Sequence, residues 1–226
     1  MIGAIINAAA ILAGGVVGLL FKGKITKEIS ENITRAIGLC ICIIGISGAL
    51  EGDFMLLVIS LSVGAFFGEL LNIDERLNKL GIWLQNKSKR GAENSDFAKG
   101  FVTATLLFCI GAMAVIGSIE SGMRNDRSII ITKSIIDAVS SIVLASSLGF
   151  GVLLSAVSVL IYQGSLEFFA GYLQDVLTNE LITQISAAGS IMILGLGFNM
   201  ALKAEIKVAN LLPGLLVAIG YYYLIF

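Results

Sequence analysis

Long runs of apolar residues recur along this chain and constrain its fold more than any other feature. Within the hydrocarbon core of a bilayer, only a helix or a closed barrel satisfies its own backbone, and a helix needs about 20 apolar residues to cross. Hydrophobic residues make up 57% of the 226 residues and charged residues only 14%, against about 25% in soluble domains. The sequence therefore predicts an all-α, polytopic membrane protein with seven or eight transmembrane segments, drawn from the apolar stretches 2–21, 33–50, 54–71, 100–119, 129–148, 150–164, 184–202 and 206–226.

The composition also argues against several classes of function. The chain contains no histidine, which removes the commonest general base and the commonest metal ligand. Its three cysteines lie in apolar stretches, and its net charge of −1 offers no basic field for nucleic acid. We therefore expect no enzyme activity, no metal or cofactor, and no nucleic-acid partner.

Charges in the connections predict the orientation of the chain. Lysine and arginine collect at 22–32 and 72–99, whereas the charged residues of 51–53 and 165–183 are all acidic. Since basic loops stay in the cytoplasm, both termini are predicted to lie outside. Arg124 and Arg127 do not fit eight full crossings, and a re-entrant pair within 100–148 would remove that misfit. The segment 150–164 is short, and so predicts either a half-helix or a helix that continues past Gly164.

The 72–99 connection itself predicts an amphipathic helix. Four of its apolar residues fall at helical spacing: Ile73, Leu77, Leu80 and Leu84. Basic residues lie on the opposite face of the predicted helix. This pattern is typical of a helix that lies in the plane of the cytoplasmic membrane surface, with the lipid bilayer as its partner.

Weak internal similarity predicts a repeat inside the single membrane domain of 1–226. Glu31-x-Ile33-Thr34 recurs as Glu180-x-Ile182-Thr183, and Gly64-x-x-x-Gly68 resembles Gly214-x-x-x-Ala218. Units 2–71 and 150–226 would then flank a central polar pair, 100–148. Their offset of five crossings makes the two three-helix units inverted, an arrangement typical of secondary transporters.

The segment 129–148 carries a polar stripe in an otherwise apolar stretch. Its members recur at the helical period: Lys133, Ser134, Asp137, Ser140 and Ser141. Because a charge at the bilayer centre costs roughly 3 kcal/mol or more, the stripe should face the protein interior or a watery cavity. In one interpretation Asp137 binds a proton or cation, with Lys133 as its counter-charge. In the other, the two charges only neutralise each other and fix helix packing.

Other polar residues and helix-breaking residues complete the candidate site. Gly111 and Gly117 predict unwound backbone near Glu120, and Pro213 predicts a kink. The candidate ligands are the side chains of Asn7, Gln163, Asn199 and Asn210. Gly14-x-x-x-Gly18 and Gly64-x-x-x-Gly68 predict close helix contacts and make a homodimer plausible.

These features favour a transporter of an ion or small polar solute, with its site near the bilayer midplane. Two alternatives stay open. An ion channel would have a continuous pore, whereas a membrane scaffold or interaction protein would bury the charged stripe dry in helix contacts.

Several motifs resemble those of the YdfK/YqgA-type bacterial inner-membrane proteins, a family catalogued as a domain of unknown function. The similar stretches are Gly3 to Gly18, Phe108-Cys-Ile-Gly-Ala-Met113, Gly117-Ser-Ile-Glu120, Lys133-Ser134-x-x-Asp137, Gln163-Gly164 and Val208-Ala-Asn-Leu-Leu-Pro213. The resemblance covers essentially the whole chain. It implies a location in the bacterial inner membrane and supplies no substrate.

Overall fold

Eleven α-helices and one 3-10 helix make up the described part of the chain. The computed structural model describes residues 1–21, 27–87, 96–173 and 177–225. The loop residues Lys22, Lys24, Lys89 and Arg90, which contribute to the predicted orientation, lie outside these ranges. Within them no strand occurs, and the helices are α1 Ile2–Phe21, α2 Lys27–Ala49, α3 Phe54–Leu71, α4 Ile73–Lys87, α5 Asp96–Cys109, α6 Ala112–Arg124, α7 Ser128–Leu148, α8 Gly151–Phe168, α9 Ala170–Leu173, α10 Asn179–Leu202, the 3-10 helix Val208–Leu211 and α11 Pro213–Ile225.

Six of the described helices are long and apolar enough to cross a membrane: α1, α2, α3, α7, α8 and α10. A seventh span would consist of α5 and α6 together, which meet at an angle of 61°. The last predicted segment forms a shorter apolar stretch, Val208–Leu224. Helix α8 continues past Gly164 to Phe168, so the predicted half-helix is not observed. The predicted all-α membrane architecture is confirmed.

Local capping residues fix the ends of several helices. The Asp53 carboxylate accepts a hydrogen bond from the backbone N–H of Leu56 (2.8 Å) and so begins α3. The Thr178 hydroxyl does the same for Leu181 at the start of α10 (3.2 Å). Asn72 adopts the left-handed conformation, φ 51°, which ends α3 and lets the amphipathic helix α4 begin at the next residue.

The chain divides into two compact units. Unit 1 contains Met1–Thr34 and Asn78–Val176, and unit 2 contains Arg35–Leu77 and Leu177–Phe226. Each unit therefore combines helices from both of the predicted repeats, 2–71 and 150–226.

In unit 1, α1 and α7 pack side by side in the same direction. A Cβ atom at Gly14 would lie 2.2 Å from the carbonyl oxygen of Ala138, and one at Gly18 would lie 2.2 Å from that of Ile142. The predicted Gly14-x-x-x-Gly18 contact face is thus occupied by a helix of the same chain, and only glycine permits this approach. The face is not available to a second copy of the protein.

The bent pair α5–α6 runs along the whole length of α8. At one end, a Cβ atom at Gly151 would lie 2.0 Å from the carbonyl oxygen of Phe97. At the other end, a Cβ atom at Gly122 would lie 2.4 Å from the carbonyl oxygen of Glu167. Because the pair begins beside one end of α8 and finishes beside the other, it extends along α8 and does not fold back on itself.

In unit 2, two pairs of antiparallel helices pack closely at glycine residues. Along α2 and α10, Gly38 lies against Ala201 and Gly45 lies against Leu194. Along α3 and α11, Gly64 lies against Gly214, and Gly68 contacts the preceding residue Asn210. The second predicted glycine face, Gly64-x-x-x-Gly68, is therefore also covered within the chain.

The helices that the predicted repeat makes equivalent are neighbours in these units. In unit 1, α1 and α8 are antiparallel, since Ala4 contacts Glu167 whereas Gly15 lies against Leu153. The pairs α2–α10 and α3–α11 are antiparallel in unit 2. An inverted repeat requires this relation between equivalent helices. The repeat itself stays a prediction.

The close contact at Gly14 predicts a large difference between two identical substitutions. Gly14→Ala forces α1 and α7 apart and should lower the free energy of unfolding by about 1–3 kcal/mol, the usual cost of overpacking. Gly220→Ala, on α11, is the matched control because a Cβ atom there meets nothing within 4 Å. Thermal unfolding of both variants in detergent measures the difference, and equal stability would contradict the packing.

Candidate functional site

A buried ion pair lies on α7 and forms the centre of the candidate site. Lys133 and Asp137 are each only 5% exposed, and the Lys133 ammonium contacts Asp137 Oδ2 one helical turn away. Ser134 and Ser141 are buried beside them, whereas Ile135 and Val139 on the opposite face are more than half exposed. The polar stripe therefore faces the interior of unit 1, as its cost in lipid predicts.

Asn7 connects this pair to two further helices. Its side-chain Nδ2 donates one hydrogen bond to Asp137 Oδ2 (2.9 Å) and another to Gln163 Oε1 (3.0 Å). Asn7 and Gln163 are both fully buried. Three helices, α1, α7 and α8, thus each contribute a polar side chain to one network at the centre of unit 1.

The network leaves two buried polar atoms without a protein partner. Neither Asn7 Oδ1 nor Gln163 Nε2 makes a hydrogen bond within the described part of the chain. An unsatisfied buried donor or acceptor costs about 1–3 kcal/mol, so most are satisfied by a partner or a bound molecule. A polar partner, such as a water molecule, would stabilise each of these two atoms.

A break in the neighbouring helix lies close to the network. Helix α5 ends at Cys109, which lies within range of the charges of Lys133 and Asp137. Gly111 then adopts φ 128°, a conformation open to glycine, and α6 begins at Ala112. The break exposes the last carbonyl groups of α5, which have no N–H partner within the helix. Thr105 Oγ1, one turn before Cys109, is also buried and makes no hydrogen bond within residues 1–21, 27–87, 96–173 and 177–225.

The serines of the stripe are bound to backbone. Ser134 Oγ donates to the carbonyl oxygen of Ile130 in its own helix (2.7 Å). Ser141 Oγ donates to the carbonyl oxygen of Ile11 in α1 (2.7 Å) and so joins the two parallel helices. Ser140 is half-buried. These hydroxyls contribute to helix packing beside the ion pair.

Two of the residues predicted to break helices, Gly117 and Pro213, do not interrupt a helix in the structure. Gly117 lies inside α6, where it packs against Ile129 and Ile130 of α7, so the backbone there is not unwound. Pro213 is the first residue of α11, a position that tolerates proline because no helical N–H is needed there. The interruption at Pro213 separates α11 from the 3-10 helix and does not kink a continuous helix.

Glu120 lies at the end of α6 rather than in the network. It forms an i,i+4 pair with Arg124 (3.1 Å), and the two side chains are 28% and 68% exposed. It is therefore set apart from the fully buried amides of the site.

Asn199 and Asn210 belong to unit 2 and bind backbone there. Asn199 makes two hydrogen bonds of 2.7 Å to the N–H and the carbonyl oxygen of Ile206, which closes the loop after α10. Asn210 accepts from the N–H of Asp74 (2.7 Å) and donates to Glu69 (2.6 Å). The same Glu69 carboxylate binds the Lys207 ammonium and raises the pKa of Lys207.

Glu167 carries a buried charge, although the sequence predicted it only as part of the connection 165–183. Its side chain is fully buried near the end of α8, accepts a hydrogen bond from the N–H of Ala4 (2.9 Å), and pairs with the Met1 amino group. A carboxylate at this position stabilises the N-terminus of α1. Its spacing of four residues from Gln163, on one helical face, was the signal available in the sequence.

The buried pair predicts strong thermodynamic coupling. Lys133→Met leaves Asp137 charged and unpaired, and should lower the free energy of unfolding by about 3–5 kcal/mol. Adding Asp137→Leu should restore much of that loss, because no isolated charge remains. Unfolding of the two single variants and the double variant in detergent measures the coupling.

The Glu120–Arg124 pair is a matched control, with the same i,i+4 spacing at an exposed position. Its coupling energy should stay below about 1 kcal/mol. Equal coupling in the two pairs would contradict the burial of Lys133 and Asp137.

Within the described part of the chain, no three His, Cys, Asp or Glu residues are grouped so that they could hold a metal ion. The site contains one carboxylate, one ammonium and two amides.

Comparison with known proteins agrees with the resemblance seen in the motifs. A family model described as "Protein of unknown function (DUF554)" matches residues 2–223. The uncharacterized membrane protein YdfK of Bacillus subtilis (strain 168) is 33% identical over 222 residues, which cover 96% of this chain and 93% of YdfK. The uncharacterized protein YqgA of Escherichia coli (strain K12) is 30% identical over 222 residues, 96% of this chain and 94% of YqgA. No solved structure matches the chain. The chain is a membrane protein and belongs to the DUF554 family.

Proposed function

We propose that this protein transports an ion or a small polar solute across the membrane, with its site at Asp137, Lys133, Asn7 and Gln163. The observation that carries the proposal is the buried polar network of α1, α7 and α8, in which Asn7 Oδ1 and Gln163 Nε2 have no hydrogen-bond partner among the residues that the structure describes. A bound ion or solute would supply the missing interactions.

The energetic cost of the pair supports this function. A buried ion pair can often be replaced by apolar side chains with no loss of stability, so packing alone gives little reason to keep one. Ionisable residues inside membrane helices most often mark an ion or substrate pathway. Lys133 and Asp137 are such residues, each 5% exposed in an apolar helix.

The surrounding backbone supports the same function. A break between Cys109 and Ala112 separates α5 from α6, which both pack against α7, and broken helices form the binding sites of many secondary transporters. The antiparallel packing of α1 with α8, of α2 with α10 and of α3 with α11 is compatible with the inverted repeat that the sequence predicts. The proposal includes a bacterial inner-membrane location with both termini outside, as the loop charges predict.

A second candidate is a membrane scaffold or interaction protein, in which the pair only fixes helix packing. The hydrogen bond from Ser141 to Ile11 favours it, because this part of the stripe joins α7 to α1 directly. The two candidates differ in whether flux depends on the charge of Asp137.

Transport by purified protein in liposomes tests the proposal. Uptake of radiolabelled sodium, rubidium, chloride and a mixture of neutral amino acids is measured against protein-free liposomes. Asp137→Asn keeps the size of the side chain but removes its charge, and should abolish the uptake if this carboxylate lies on the ion or substrate pathway.

Glu51→Gln is the matched control, because Glu51 is an exposed acid in the turn between α2 and α3. It should transport at the wild-type rate. Wild-type uptake by Asp137→Asn, or no uptake of any substrate by the wild-type protein, would contradict the proposal and favour the scaffold. Conductance in planar bilayers would identify the ion-channel alternative.

A further inference from the structure

We infer that the site exchanges one monovalent cation for one proton, with the Lys133 ammonium occupying the position on Asp137 that the cation takes. The inference rests on the proposed function and names its substrate class.

The charge balance of the site carries this inference. Asp137 is the one carboxylate in the network, and the Lys133 ammonium already neutralises it. Both groups are buried, and an unpaired charge is strongly disfavoured at a buried position. If Lys133 loses its proton, the Asp137 carboxylate needs another single positive charge. A monovalent cation restores neutrality, whereas a divalent cation or an anion does not.

The available oxygen atoms suit such a cation. Asn7 Nδ2 is committed to Asp137 and to Gln163, and this fixes the amide so that its unpartnered atom is the acceptor Oδ1. The cation would therefore lie between the Asp137 carboxylate and this amide oxygen. Gln163 Nε2 is a donor, and it suits a water molecule retained by an incompletely dehydrated cation.

Other ionisable groups near the pair do not replace Lys133 in this role. Cys109 on α5 and Tyr162 on α8 carry a thiol and a phenol, which are neutral when protonated and cannot balance a carboxylate. Glu120 on α6 pairs with Arg124, and Glu167 on α8 pairs with the Met1 amino group. Asn7, the polar contact from α1, does not titrate.

The exchange proceeds in two half-steps that each conserve charge. When the site is open to one side, the Lys133 ammonium gives its proton to water and the neutral amine leaves Asp137. The cation then binds the Asp137 carboxylate and Asn7 Oδ1. On the other side the cation leaves, the amine takes a proton from water, and the ion pair forms again. One proton moves against one cation, with no net charge crossing the membrane.

Proteoliposomes that contain a trapped pH-sensitive dye test this inference. Addition of external sodium or potassium chloride should make the lumen alkaline, because protons leave as the cation enters. The rate should stay the same when a thiocyanate gradient imposes a membrane potential, since the exchange is electroneutral. A rate that follows the potential overturns the inference.

Substitutions of Lys133 separate a proton-releasing role from a structural one. Lys133→Arg keeps the positive charge beside Asp137, but a guanidinium does not release its proton at accessible pH, so exchange should fall at least about 100-fold. A purely structural lysine predicts that arginine retains activity. Lys99→Arg, at an exposed position on α5, is the matched control and should exchange at the wild-type rate.

A second variant keeps the test informative if arginine does not fit. In Lys133→Gln the proton can be carried only by the Asp137 carboxyl, which binds a proton at lower pH than an amine does. Exchange should therefore persist with its pH optimum moved to lower pH. An unchanged optimum overturns the assignment to Lys133.

The outcomes also separate this inference from the proposed function. Asp137-dependent uptake of chloride or amino acids without cation-driven alkalinisation overturns the cation exchange and leaves transport in place. No Asp137-dependent flux of any substrate overturns both.

Discussion

A charge inside a bilayer is stabilised only by an opposite charge or a hydrogen-bonding group of the protein. In unit 1 this constraint acts on the ion pair of Lys133 and Asp137. Lys133 and Asp137 neutralise each other on α7, and Asn7 and Gln163 bring α1 and α8 to the same carboxylate. Because hydrocarbon offers no hydrogen bonds, each of these groups depends on its neighbours being correctly placed. The pair thereby determines which faces of three helices meet.

Glycine residues allow these helices to pack closely enough for their polar side chains to form hydrogen bonds. The side chain of Asn7 reaches Asp137 only because α1 and α7 approach closely, and Gly14 and Gly18 allow that approach. In a membrane, helices gain little from hiding apolar surface, so close backbone contact is a main source of their association. Close contacts at glycine also occur in unit 2. There Gly64 of α3 packs against α11, and Gly68 packs against Asn210, which precedes α11.

The polar stripe and the glycine faces could be read directly from the sequence because both follow the helical period. Lys133, Asp137, Asn7 and Gln163 were all predicted as site residues, and the structure brings these four together. Asn210 was predicted from the proline kink beside it and Asn199 as a further amide, and both side chains are instead bound within unit 2. Residue type does not tell whether an amide faces a ligand or a loop backbone, since both satisfy its hydrogen bonds.

By itself the sequence determined the class of the protein, because apolar length and the cost of charge in lipid are local properties that any helix of this composition shares. It determined which face of α7 turns inward for the same reason. Only the tertiary structure decided that α5 and α6 extend together along α8, and that Glu167 is buried at the start of α1. Those outcomes depend on contacts between residues far apart in the chain, which a periodic pattern along one helix does not encode.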